Sequence, residues 1–363
     1  MISFSLSEEQ QMLVEAVKRY AKRTMRPALR EADEAESLPQ GVIKAGWELG
    51  LVPSAIPEAY GGFGEHSAVT GALYAEELAW GDLSATLGLL APNLLVIPTL
   101  KFGDEEQKRH LLPQFCEMAY LPAGAALIEP GLKFDPYHLS TTAERQNGHY
   151  FLNGQKSVVP LAEQAGQLLV YASEGGRSQA FIVHRDTPGL TVESREKHMG
   201  LRALPTYRVS LSNCKVGAAC KLGGEAGINF TQLMNHSHVA MAAMAVGLAR
   251  ASYEYALAYA KEREAFGEPI ASRQAIAFML AEMAIEIEAT RLMVWEAAWL
   301  LDQGQDATRE ANLVKRYADD MVLTVTDNGV QVLGGHGYIR EHPVELWLRN
   351  GRGFGVLQGL AIV

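Results

Sequence analysis

The run Gln331–Val363, QVLGGHGYIREHPVELWLRNGRGFGVLQGLAIV, decides how the rest of the chain is read. Gly334, Gly335 and Gly337 follow directly on an apolar-periodic segment, Thr308–Leu333, whose one glycine, Gly329, stands near its end. Glycines at such a place end a helix and let backbone come close to a ligand. Outward from there, Gln274–Leu301 contains neither Gly nor Pro, and Ala240–Arg263 is Ala-rich with Gly247 as its single glycine. These three segments predict long helices of a bundle, with Gly247 suited to close packing against a neighbour.

Further upstream, between about Ala119 and Lys221, the period changes. His149–Leu152, Leu168–Ala172, Ala180–His184, Leu190–Glu193 and Tyr207–Leu211 are short β-rich runs punctuated by Gly, Pro, Asn and Asp. Asn153-Gly154 sits between two such runs and predicts a two-residue hairpin. Lys156, closing that LNGQK turn, is read as a solvated side chain. The expectation is a small antiparallel β-domain. Before it, Ser7-Glu8-Glu9-Gln10 reads as a capping box, with Leu13, Ala16, Val17 and Tyr20 following at helical spacing. Pro53, Pro57 and Tyr60–Gly64 mark a loop, and helices resume to about Leu90 and around Asp104–Phe115. The fold class is therefore α+β: a helical domain over residues 1–118, a β-domain over 119–222 and a helical bundle over 223–363.

Composition narrows the function. A net charge of −10 argues against general nucleic-acid binding. No apolar run reaches the roughly 18 residues of a membrane span. The opening MISFSLSEEQQ has neither the basic nor the apolar region of a secretory leader. Cys116, Cys214 and Cys220 are odd in number and far apart, which fits a reducing cytoplasm better than disulfides or a metal cluster.

Two motifs carry a family resemblance. The C-terminal block resembles the Q-x-x-G-G-x-G-[YF], P-V-E, R-D, E-G-T pattern of the flavin-dependent acyl-CoA dehydrogenases. Arg263-Glu264-Ala265-Phe266-Gly267, with Pro269-Ile270 and then Gln274, resembles their R-x-x-F-G-x-P-[IL] motif with its following Gln. Ile56–Gly64 and Phe102–Pro113 are similar to parts of the family's helical N-terminal domain. The resemblance spans nearly the whole chain. It implies the three-domain fold with a C-terminal four-helix bundle, FAD as cofactor, an acyl-CoA substrate, electron-transfer flavoprotein as electron acceptor, and a homo- or hetero-oligomer, dimer or tetramer. It also implies that Arg263, Phe266, Gln274, Gln331, Gly334 and Gly335 reach FAD held by a neighbouring subunit. The chemistry suits them: a guanidinium forks onto pyrophosphate, and the Phe offers an apolar wall. Without the resemblance, the same residues read as a helix–turn–helix corner with a surface Arg.

The inward-facing half departs from the pattern. Where the family has T-E-P-x-x-G-S-D, this chain has Ile128-Glu129-Pro130-Gly131-Leu132-Lys133-Phe134-Asp135. Where it has K-x-W-I-[TS], this chain has Lys156-Ser157-Val158-Val159-Pro160. Two hydroxyls, an indole and an amide donor are gone. The family Glu that removes the α-proton of the thioester is replaced by Gln358, which is not a base. The alternative carboxylate position is Ser237, and the Arg beside it is His238. His236 and His238, at i and i+2, face apart on a helix; His238 is a candidate base, against a packing or solvated role. Three functions remain open: a base-lacking subunit of a heteromeric acyl-CoA dehydrogenase, a homo-oligomeric flavoenzyme of altered chemistry such as an oxygenase or one with another base, and a non-enzymatic acyl-CoA or partner-binding scaffold. No Gly-rich strand–helix loop supports a nicotinamide site.

Overall fold

A computed structural model describes residues 5–363; the first four residues of the opening read above lie outside the described residues. Helix α1 (Glu8–Tyr20) starts on the expected capping box, with Ser7 Oγ accepting from Gln10 N and Gln10 Oε1 accepting from Ser7 N. A π-helical turn at Ala21–Met25 joins it to α2 (Arg26–Ala35). There follow α3 (Gln40–Trp47), α4 (Ala68–Gly81), α5 (Leu83–Leu89), α6 (Asn93–Phe102) and α7 (Glu105–Leu111). The bent pair α5–α6 is apolar because it is core: almost every residue in it is buried. No single described helix is long and apolar enough to cross a membrane.

The sheet comprises β1 (Gly124–Ala126), β2 (Thr142–Gln146), β3 (His149–Pro160), β4 (Gln167–Glu174), β5 (Arg177–His184), β6 (Leu190–Arg195) and β7 (Thr206–Gly217). Its order is β1-β4-β2-β3-β7-β6, with β5 on β4. The sheet is mixed rather than antiparallel throughout. The chain enters as β1, leaves through residues 127–141 and returns as β2, so both strands run parallel to β4; the other pairings are antiparallel. The hairpin expected at Asn153-Gly154 is not there. Those residues lie inside the 12-residue β3, where the register against β7 slips between Leu152 and Gly154. That slip is a bulge, and Gly154 is required in it because a Cβ would stand 2.5 Å from Thr141 Oγ1. The turn falls on the other Asn-Gly pair, Asn147-Gly148, which joins β2 to β3 with φ of 48° and 76°, the left-handed pair that a two-residue hairpin demands.

The bundle follows. Its long helices are α8 (Phe230–Glu262), α9 (Gln274–Asp302) and α10 (Thr308–Leu333), and the short α11 (Gly335–Tyr338) and α12 (Val344–Gly351) complete it. Two-residue strands β8 (Glu264–Ala265) and β9 (Glu268–Pro269) form a small hairpin between α8 and α9. Asn235 Nδ2 donates to Thr308 Oγ1, and Gly329 packs on Ser252, so α8 and α10 run parallel. The short link 303–307 turns α10 back along α9, antiparallel to it, and Tyr317 Oη donates to Glu286 between the two. A Cβ on Gly247 would stand 2.1 Å from Glu76 O, the close α4–α8 approach that the sequence suggests. Asp302 at the end of α9 caps the start of α4, accepting from Ser67 Oγ, Ala68 N and Val69 N. Glu76 of α4 takes both Arg250 of α8 and Arg291 of α9. The helical halves thus share one core, while the sheet's inner face holds a second.

Candidate active site

Beyond α12 the chain folds back into the interior. Leu357 and Leu360–Val363 are buried, and Gln358 is half-buried between them. Gly359, at φ 67°, lies against Leu127 at the end of β1; a Cβ there would stand 2.4 Å from Leu127 Cδ2. Gln358 is therefore placed where the C-terminal segment crosses the edge of the sheet. Lys315 of α10 fixes that segment by donating to Phe354 O at 3.0 Å while it pairs with Asp319 at 2.7 Å. Asn350 Oδ1 accepts from Leu201 N at 2.7 Å and ties the same segment to the loop between β6 and β7. Lys315 was invisible as an anchor in the sequence, although its i, i+4 spacing to Asp319 marks a helix-surface pair.

The two histidines of α8 face apart, as expected. His236 points to Val363 O at 2.5 Å and lies edge-on to His66, with ring centroids 5.3 Å apart. His238 is buried near Lys315 with Nδ1 lacking a partner, and Ser237 Oγ is likewise buried and unpartnered. Burial, then the Lys315 charge, pull His238 down to about 4. A group so weakly basic is a poor acceptor for an α-proton. Both histidines are packed among helices.

At the sheet rim the sequence reading of Lys156 is corrected. Its side chain is fully buried, donating to Leu127 O at 3.1 Å and pairing with Glu129 Oε1 at 2.9 Å. Glu129 also accepts from Ser140 N at 2.7 Å and Thr141 N at 2.8 Å. The partner lies on the segment between β1 and β2, which runs beside β3 and which the strand pattern around Lys156 could not reveal. Ile128 is buried. Val158 adopts φ 55°, and its N–H donates at 2.7 Å to Glu196, which also accepts from Ser157 Oγ at 2.6 Å. Glu196 thus consumes donors on this edge, a role that nothing in the sequence signalled. Beside Val158 lies a cavity of about 210 Å³ lined by Met199, Thr206, Arg349, Val356 and Leu357 among others. It falls short of the roughly 300 Å³ at which ligand pockets begin.

The outward residues present the opposite picture. Parallel α8 and α10 with antiparallel α9 bring the end of α8, the start of α9 and the end of α10 to one end of the bundle, so Arg263, Phe266, Gln274, Gln331, Gly334 and Gly335 share that end. All six are exposed. Phe266, at the β8–β9 turn, is 97% exposed at φ 56°, with the Arg273 guanidinium 5.8 Å from its ring centre. A Cβ on Gly267, Gly334 or Gly335 would meet nothing within 4 Å of this chain. Gly337, by contrast, is forced by packing, its Cβ position lying 2.3 Å from Val330 O. At Gly335, then, intrachain crowding does not call for a glycine. The same end carries the Tyr259–His336 and Tyr255–His342 hydrogen bonds at 2.6 and 2.8 Å. Phe278, Ile285 and Leu292, one heptad apart on α9, are exposed as well.

Models of the acyl-CoA dehydrogenase N-terminal, middle and C-terminal domains match residues 7–119, 124–214 and 227–361. The chain belongs to the acyl-CoA dehydrogenase family. This family member is 37% identical to the probable acyl-CoA dehydrogenase YngJ of Bacillus subtilis (strain 168), over 97% of this chain and 94% of that protein. It is 36% identical to the cyclohex-1-ene-1-carbonyl-CoA dehydrogenase of Syntrophus aciditrophicus (strain SB), over 96% and 86%. Among solved structures, the butyryl-CoA dehydrogenase of Megasphaera elsdenii superposes with a TM-score of 0.90 at 29% identity, covering 99% of this chain and 96% of that one. PigA solved with FAD and proline gives 0.90 at 26%, with the same coverage.

Proposed function

We propose that this acyl-CoA dehydrogenase family member takes part in FAD-linked α,β-desaturation of an acyl-CoA thioester as the base-lacking subunit of a heteromeric enzyme, donating half of the FAD site. The observation that carries the reading is the contrast between its two faces. The exposed end of the bundle fits FAD: a guanidinium for pyrophosphate, an exposed aromatic wall, two side-chain amides and glycine backbone with open space above it. The inner edge offers less, because Ile128, Val158 and Pro160 bring no hydroxyl or indole and Glu196 already holds the Val158 N–H and the Ser157 hydroxyl. FAD, when bound, accepts the β-hydride. In this reading Arg263, Phe266, Gln274, Gln331, Gly334 and Gly335 bind and orient the cofactor seated in a catalytic partner. Gln358 fills the base position without taking a proton, and His238, at about 4, does not replace it. The electron acceptor implied for such an enzyme is electron-transfer flavoprotein.

Flavin content tests the reading. Expressed alone, the chain is expected to purify essentially colourless; co-expressed with a Glu-bearing family member, it is expected to copurify with about one flavin per pair. Stoichiometric FAD in the singly expressed protein together with desaturation would refute the heteromeric role in favour of a self-sufficient flavoenzyme. No flavin in any pairing would favour the scaffold.

A further inference from the structure

Among the described residues, the largely buried guanidinium groups of α8, α9 and α12 are matched by carboxylates. Arg250 pairs with Glu76 and Glu77, Arg291 with Glu76 at 2.9 Å, and Arg349 with Asp33 at 2.8 Å. Arg26, at the start of α2, is different. Its guanidinium carbon stands 4.0 Å from the centre of the Trp80 ring and 4.7 Å from that of Trp347. Its Nη2 donates to Trp80 O, and its Nε is buried with no partner. Among the described residues no carboxylate oxygen lies within 4.0 Å of it. Burial pulls Arg26 down to about 10 against the charges of Glu254 and Asp82, neither of them in contact with it, whereas Arg250, Arg291 and Arg349 are buried too but are raised by the carboxylates that pair with them.

Arg26 also faces open space. It lines a cavity of about 440 Å³ whose apolar walls are Pro27, Trp80, Tyr255, Pro343 and Trp347. Two other arginines share the rim, but both are engaged: Arg30 by Glu345 and by His342 O, and Arg340 more loosely by Asp33 and Glu34 at 3.8 and 3.9 Å. Glu341 lines the cavity too. Stacking on two indoles offsets part of the desolvation of Arg26. It leaves a planar fork of donors without the anion that such groups ordinarily take when buried. The cavity volume is ordinary for a small-molecule site, and its lining, from α2, α4, α8, α12 and the turn before α12, shares no residue with the cavity beside Val158.

We propose that this cavity binds a small organic carboxylate with a flat apolar body. Arg26, held on the two indoles, takes the carboxylate through its guanidinium fork, and Pro27, Tyr255 and Pro343 border the body. The desaturation reading uses none of these residues, so the proposal stands or falls independently of it.

Benzoate and inorganic phosphate, titrated separately into the full chain, test the site through tryptophan fluorescence and melting temperature. The unsubstituted protein is expected to respond saturably to benzoate, about tenfold more tightly than to phosphate. Arg26→Met is expected to weaken benzoate by about tenfold or more, since a charge-assisted pair is lost. Arg26→Lys, which keeps the charge but not the fork, is expected to fall between the two. Absence of a saturable benzoate response, or phosphate binding as tight as benzoate, overturns the assignment. So does unchanged benzoate affinity in the variants; if Arg26→Met does not fold, Arg26→Lys alone decides that point.

Discussion

Replacing Lys156 by Met should destabilise the β-domain severely. The ammonium is fully buried, 2.9 Å from Glu129 Oε1. At an effective dielectric constant of about 20, a pair this close attracts by roughly 6 kcal/mol before desolvation. Met removes that attraction along with the buried ammonium, whose desolvation penalty is returned. What remains is an orphaned carboxylate. Ser140 N and Thr141 N still hold Glu129, so the loss should fall at the low end of the range for a broken buried pair, about 3 kcal/mol. The measurement is urea denaturation at pH 7, compared at common slope. Glu129→Gln alone should also destabilise, by leaving the ammonium without its counter-charge. The double variant should lie well above the sum of the two losses, because neither charge is then buried alone. A Lys156→Met midpoint indistinguishable from the parent, or a double variant no better than additive, would refute this account of the rim.

Acidification should destabilise the fold through its buried neutral histidines. The unfolded chain takes protons near 6.5 while His66 and His238 resist until about 4, so stability falls as pH drops through that window, with His238 contributing up to about 3 kcal/mol. Asp82, raised to about 6 by burial, acts with the opposite sign below that value; a urea midpoint unchanged between pH 7 and 5 would contradict the balance. Gly247→Ala should lower the melting temperature despite the better helix propensity of Ala, since the Cβ would fall 2.1 Å from Glu76 O and overpacking costs about 1–3 kcal/mol; a rise in melting temperature would count against it. Gln358→Glu in the chain alone should leave acyl-CoA turnover at background, and a gain of about 10²–10⁴-fold, the worth of a base, would show that the inner FAD seat works after all. Phe266→Ala should change the stability of the isolated chain by no more than about 0.5 kcal/mol, yet lower the flavin content of the copurified pair; full flavin retention would remove Phe266 from the cofactor surface.

The helices were legible because long runs free of Gly and Pro leave little choice. Thr308–Leu333 has the bounds read from sequence, and Gln274–Leu301 gains one residue. Helix α8 begins ten residues before its Ala-rich part, on an Asn229 cap, which residue-type enrichment alone does not mark. The strands were placed, but the turn between them was not. Two Asn-Gly pairs lie six residues apart, and only the pairing of Thr142 with Asn153 decides which one bends. Lys156 and Glu196 were misread or missed for a common reason: each is defined by a partner on another strand or loop. The exposed residues at the end of the bundle, carried by two short motifs, needed no such partner to be noticed. Arg26 had no motif at all, and its isolation follows only from which carboxylates the packed helices deliver elsewhere.

The clasp of Asp302 on the first turn of α4, with Glu76 held by two helices of the bundle, has a consequence for synthesis on the ribosome. The partners that cover α4 are not complete until Asp302 has been made, after the whole sheet. At about 5–20 residues per second this leaves α4 uncovered for roughly 10–40 seconds. The nascent N-terminal half should therefore be a chaperone client during translation, and the sheet should be the first part to resist a protease.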